Sequence, residues 1–170
     1  MGWEVTRRNL ASRATSPWWG TGGAGISTDN VVVPGAPSGG TCTIQTLTTA
    51  PTGANFNFRP YLGQTARRPE GDYLDHTWRA GFWVRPEVPL LITGFRPYFY
   101  STNYSNTDMG LREENRVLPA NQWTWLEGEW ENMPEVGYLY LAITIPRSQF
   151  DGILNSPVTL TKAIIEAVAS

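Results

Sequence analysis

The residues that could do chemistry here fall into two unequal sets. The ionisable set is thin. The chain of 170 residues has one histidine, His76, and one cysteine, Cys42. A Ser-His-Asp or Cys-His arrangement would have to use His76, a multi-histidine metal site is impossible, and no disulfide can form within the chain. Asp72, Asp75 and His76 stand just before a strand-like run and read either as acid–base groups or as a polar turn. Glu127 and Glu129 lie two apart, so on a strand they are neighbours on one face. Retaining glycosidases place two carboxyls close together, but a single strand in an aromatic-rich face offers no cleft. The expectation is no catalysis, no metal and no cofactor. Cys42 reads as a small buried apolar residue, because no basic neighbour is evident in the sequence.

The aromatic set is dense, with eight Trp, seven Tyr and six Phe. Trp83, Tyr98, Tyr100, Trp125, Tyr138 and Tyr140 fall on the faces opposite the most apolar positions of their segments, and Arg85 shares the face of Trp83. Rings flanked by Arg, Glu or Asn hold sugars by stacking, with polar groups taking the hydroxyls. The same rings anchor protein interfaces, or pack internally where a second layer covers them. All three readings stay open. Trp18 and Trp19 precede the glycine-rich run 20–25 and read as a packed lid or as an exposed contact.

Alternation of apolar and polar residues supplies the elements that must position these rings. In 121–145, Leu126, Gly128 and Trp130 share one face against Trp125, Glu127 and Glu129. Leu139, Leu141, Ile143 and Ile145 share another face against Tyr138, Tyr140, Ala142 and Thr144. Period two marks half-buried strands. Asn132, Pro134 and Gly137 break the chain between them, so the segment reads as an antiparallel hairpin. In 72–86, Trp78, Ala80, Phe82 and Val84 alternate with Arg79, Gly81, Trp83 and Arg85. Residues 90–100 read as one strand, with Leu91, Thr93, Phe95 and Phe99 opposite Ile92, Arg96, Tyr98 and Tyr100. Residues 41–49 read as a strand carrying Cys42, Ile44 and, after a break, Leu47. Residues 146–157 read as a loop. Val158 and Leu160 alternate out of phase with Ala163, Ile165 and Ala167, which calls for a bulge near Lys162 or a short helix over 162–169. Residues 1–16 form an arm or a first short strand, and 17–170 a single domain. With eight or so strands, many turns and no internal repeat, the fold expected is an all-β jelly-roll β-sandwich of two antiparallel sheets.

The net charge of −2 lacks the basic excess that phosphate contacts require, which argues against nucleic acid as a partner. No stretch approaches the roughly 20 apolar residues of a membrane span. The first ten residues carry Glu4, Arg7 and Arg8 without an apolar run, so no signal peptide is expected.

Several motifs together resemble the carbohydrate-binding-module type of jelly roll found in phage minor tail proteins. They are Asn9-Leu10, then Phe82-Trp83-Val84-Arg85-Pro86, then Trp123-Thr124-Trp125-Leu126-Glu127-Gly128-Glu129-Trp130, with looser similarity at 134–141 and 158–166. The family's Asn-Pro-x-Phe-Glu after the opening Asn-Leu is absent, and residues 11–16 stand in its place. The resemblance implies a non-enzymatic virion component, a minor tail or tail-tip protein. Such a protein would assemble with other virion proteins and with copies of itself, and would touch cell-surface carbohydrate. The alternative from a different class is a stand-alone carbohydrate-binding module.

Overall fold

The computed structural model describes residues 25–37, 40–58, 65–67, 76–100, 106–108, 115–130, 138–161 and 164–169. Its strands are β1 (Gly25–Val32), β2 (Thr41–Thr49), β3 (Asn55–Phe58), β4 (Thr65–Arg67), β5 (His76–Pro86), β6 (Leu90–Ile92) and β7 (Gly94–Tyr100). They continue with β8 (Asn106–Asp108), β9 (Arg116–Leu118), β10 (Thr124–Trp130), β11 (Tyr138–Pro146), β12 (Pro157–Leu160) and β13 (Ile164–Ala169). One sheet runs β1-β2-β12-β5-β10, with β13 also paired to β5. The other runs β3-β11-β7-β8, with β4 also on β11, and a small ribbon pairs β6 with β9. Every pairing is antiparallel. The architecture is the expected all-β jelly-roll sandwich.

Alternation decides what each sheet buries. Ala80, Phe82 and Val84 of β5 and Leu126 of β10 are fully buried, and so are Phe95 of β7 and Ile143 and Ile145 of β11. Phe82 and Phe95 meet edge to face between the sheets, with ring centroids 5.3 Å apart at 60°. Each of these side chains larger than alanine contributes about 1.5–3 kcal/mol through burial.

Four expectations need correction. The segment 121–145 is not a hairpin, because β10 pairs β5 whereas β11 pairs β3, β4 and β7 in the other sheet. Alternation gives each strand an apolar face, and facing one another across the core satisfies it as well as lying side by side. Residues 90–100 are two strands. The chain breaks at Thr93, whose N–H donates to the Thr144 carbonyl at 2.9 Å. The phase changes there, so Ile92 and Phe95 are both fully buried. In β2 no break precedes Leu47. Thr43 and Gln45 share its face and are buried, Thr43 donating its hydroxyl to Asn30 Oδ1 at 3.1 Å. Two polar residues in the core concealed the phase. Finally, 146–157 holds a 3₁₀ turn (Arg147–Gln149) and a short helix α1 (Phe150–Ile153), which seats Phe150 and Ile153 in the core.

The bulge expected near Lys162 is borne out by register. β12 sets Leu160 opposite Val84, and β13 sets Ile164 opposite Gly81. One strand advances four residues while β5 advances three, so one residue is extra. Ile165 thereby falls opposite buried Ala80, and 164–169 is strand, not helix. The arm 1–16, Trp18, Trp19, Asp72, Asp75, residues 131–137 and Lys162 lie outside the described residues.

Candidate ligand-binding faces

The remaining seven candidate residues do not form one site. They divide between the outer faces of the two sheets.

On the β3-β11-β7-β8 sheet, register sets Tyr98 opposite Tyr140 and Tyr100 opposite Tyr138. Phe95 pairs with Ile143 on the buried face, so alternation assigns all four tyrosine positions to the face away from the core. The neighbouring strands extend both rows. Asn106 stands opposite Tyr100 and Asp108 opposite Tyr98. Arg67 stands opposite Tyr138 and Thr65 opposite Tyr140. The next position along pairs Arg96 with Ala142. Rows therefore read Asn-Tyr-Tyr-Arg and Asp-Tyr-Tyr-Thr across four strands. Adjacent positions are roughly 5 Å apart across strands and about 6.8 Å apart along them. Sequence reading selected the tyrosines but missed their flanks. Arg67 and Asn106 lie on strands other than those of the tyrosines, and lateral neighbours are set by strand order.

On the opposite sheet the geometry is explicit. Trp83 pairs with Trp125, and their rings lie 5.4 Å apart, tilted by 56°. The Trp125 indole covers Gly81. A Cβ at that glycine would stand 2.3 Å from Cζ2 and 2.7 Å from Cη2 of the ring. Only a residue without a side chain seats the indole there. The Nε1–H of Trp125 donates to Glu127 Oε2 at 2.8 Å, which fixes the ring's rotation. The backbone of Trp83 is held at the bulge, its N–H donating to Thr161 Oγ1 at 2.9 Å and its carbonyl accepting from the Thr161 N–H at 3.0 Å. The Arg85 guanidinium carbon lies 4.8 Å from the Trp123 ring centroid, within cation–π range. Trp83, Arg85, Trp123 and Trp125 are half-buried, and Glu127 and Glu129 are exposed. Trp123 belongs to the Trp-rich motif but not to the outward rings expected from alternation. Its signal is the pairing of its neighbour Thr124 with Val84, which brings it near Arg85.

The two carboxylates on β10 have different neighbours. Glu127 is taken by the indole, and Glu129 stands opposite Arg79. Cys42 is buried, as expected. Burial pushes its thiol above the ordinary value, and the charge of Arg85 pulls it partly back. That basic neighbour was invisible in the sequence, lying two strands away through β12.

No protein-family model and no curated protein matches the chain. Solved structures match the fold. The chain is similar to the CBM22-1 xylan-binding domain of Xyn10C from Paenibacillus barcinonensis, with a TM-score of 0.55 and 14% identity over 95% of this chain and 92% of that one. A second xylan-binding domain from CBM 22 gives a TM-score of 0.53 and 9% identity over 98% and 99% of the two chains. The enzymatically active domain of tailspike protein 4 of bacteriophage CBA120 gives a TM-score of 0.53 and 16% identity over 88% of this chain but 19% of that one. The fold is thus that of carbohydrate-binding-module jelly rolls.

Proposed function

We propose that the chain is a non-catalytic glycan-binding β-sandwich, and that its ligand lies across β7 and β11. The observation that carries this reading is the register of β7 on β11, which assigns two directly opposed tyrosine pairs to the face away from the core. Arg67, Arg96, Asn106 and Asp108 stand on the same face. An aromatic floor stacks on the apolar side of a sugar ring, and a rim of donors and acceptors takes its hydroxyls. Asp108 is the one carboxylate among these face positions, so a pair of acid and base for bond cleavage is not evident there. The similarity to two xylan-binding domains supports the ligand class at the level of fold.

We further propose that this module works on a virion, as a minor tail or tail-tip component assembled with other tail proteins and with copies of itself. The Trp-x-x-Leu-x-Gly-x-Trp and Val-Arg-Pro motifs and the fold shared with a tailspike domain support that setting. Affinity electrophoresis through soluble xylan, mixed-linkage glucan and solubilised bacterial wall polysaccharide tests the glycan reading. Retardation by at least one polymer, weakened in the Tyr98→Ala/Tyr140→Ala variant, is the expected result. Unretarded migration in all three would sink it. Mass spectrometry of purified particles tests the setting, which fails if the chain is absent from them.

A further inference from the structure

The Trp83–Trp125 cluster is built more rigidly than a sheet surface requires. Packing alone would hold one indole on another. Here the Trp125 ring is also seated on a glycine and tied to a carboxylate at 2.8 Å. Trp83 is fixed through both of its backbone groups by Thr161, which is itself buried. One side of the Trp125 indole lies over Gly81, the Trp83 ring stands beside it, and the residue remains half-buried, not fully enclosed. Glu127 stands at the edge of that ring, and Arg85 is in the next position along the strand from Trp83 on the same face.

We propose that Trp125, with Trp83 and Glu127, forms a second carbohydrate-binding site on the outer face of the β1-β2-β12-β5-β10 sheet, taking a neutral pyranose unit of a polysaccharide. The ligand class follows from the chemistry. A pyranose offers a flat patch of C–H groups with hydroxyls radiating at its rim. The site offers a fixed aromatic plane with an acceptor at its edge and a guanidinium nearby. A protein anchor would instead need a concave pocket that excludes water around it, and the exposed Glu127 and Glu129 border this surface. Opposite charges from Arg85 and Glu127 leave no excess to select an anionic or cationic sugar. This site is independent of the tyrosine face. The sheets of a sandwich lie about 10 Å apart, and the two surfaces point in opposite directions, so one short oligosaccharide reaches only one of them.

The test uses the full chain carrying Tyr98→Ala/Tyr140→Ala, with ¹⁵N-labelled tryptophan, titrated with xylohexaose, cellohexaose and mannohexaose. The Trp125 indole N–H resonance, identified by its loss in Trp125→Ala, is expected to shift with at least one sugar. Glu127→Ala, an exposed change, frees the ring without removing it and is expected to weaken that binding about tenfold. Urea midpoints of each variant verify that the fold is retained. The proposal is overturned if none of the three sugars moves the Trp125 signal. It is equally overturned if the signal responds to protein concentration alone, which would mark a protein interface, or if Glu127→Ala leaves affinity unchanged. Loss of the tyrosine face without loss of total affinity would sink the function proposed above while leaving this site standing.

Discussion

Replacing Gly81 by Ala should be most damaging while Trp125 is present. The added Cβ would sit 2.3 Å from Cζ2 and 2.7 Å from Cη2 of the indole, against the ~3.5–4.0 Å at which carbon atoms rest. The ring must lift off the strand, which breaks its packing and its bond to Glu127. Overpacking of this kind costs about 1–3 kcal/mol. For a chain of this length each kcal/mol lowers the melting temperature by roughly 2–4 °C. In a Trp125→Ala background the obstacle is gone. The Leu126 carbonyl oxygen, 2.9 Å from the Cβ position, belongs to the backbone and must still shift, so a cost remains. Against that, alanine in a strand interior is favoured over glycine by about 0.5–1 kcal/mol. The gain offsets only part of that cost, so Gly81→Ala should remain destabilising there, but by less than with Trp125 in place. Urea unfolding of the four proteins in the cycle measures the coupling directly, with an expected value of about 1–3 kcal/mol. A cost for Gly81→Ala that is the same in both backgrounds, within about 0.5 kcal/mol, would show that the indole does not rest on Gly81.

Other outcomes follow from the core and the bulge. Leu126→Ala removes a fully buried side chain from the centre of the sandwich and should cost about 2–5 kcal/mol by urea midpoint; a cost below 1 kcal/mol would place Leu126 outside the core. Thr161→Val takes away the acceptor of the Trp83 N–H and should cost about 1–3 kcal/mol. Faster hydrogen exchange at the Trp83 amide is the accompanying sign, and unchanged exchange would contradict the contact. The Cys42 thiol is raised in the folded chain by burial. The folded state then holds its proton to higher pH than the unfolded state, so the contribution is full below the unfolded thiol value and is lost as pH rises through the folded one. Unfolding free energy should therefore fall more steeply above the ordinary thiol range in the native sequence than in Cys42→Ala, and parallel curves would refute this.

The sequence carried faces well and neighbours poorly. Strict alternation placed Ala80, Phe82, Val84, Leu126, Ile143 and Ile145 inward, and all six are buried. It also located the bulge before Ile164, since a change of phase within an apolar run has few other causes. What failed was whatever depends on strand order. Thr43 and Gln45, polar yet buried, disguised the phase of β2. The short helix at Phe150–Ile153 has too few residues for a helical period to emerge. Arg67, Asn106 and Asp108 joined the tyrosines only through pairing across strands, whereas alternation alone set Arg96 on the face of Tyr98 and Tyr100. The approach of Arg85 to Cys42 likewise runs through β12, which comes more than seventy residues after Arg85 in the chain.

The mistaken hairpin has the largest functional consequence. Had β10 paired with β11, Trp125 would have shared one surface with Tyr138 and Tyr140, and the outward aromatics would have made a single continuous platform. Because β10 instead pairs β5 in one sheet and β11 pairs β7 in the other, the same residues are divided into two faces that stand back to back. The division follows from burial. Leu126 and Ile143 are both fully buried, and each strand can bury its apolar side against the opposing sheet only by turning its aromatic side outward. A jelly roll that places consecutive strands in opposite sheets thus turns one aromatic-rich stretch of sequence into two outward surfaces. If both proposed sites bind, two such surfaces on one small chain would let it hold two separate polymer strands at once, raising avidity for a dense polysaccharide without any gain in affinity at either face.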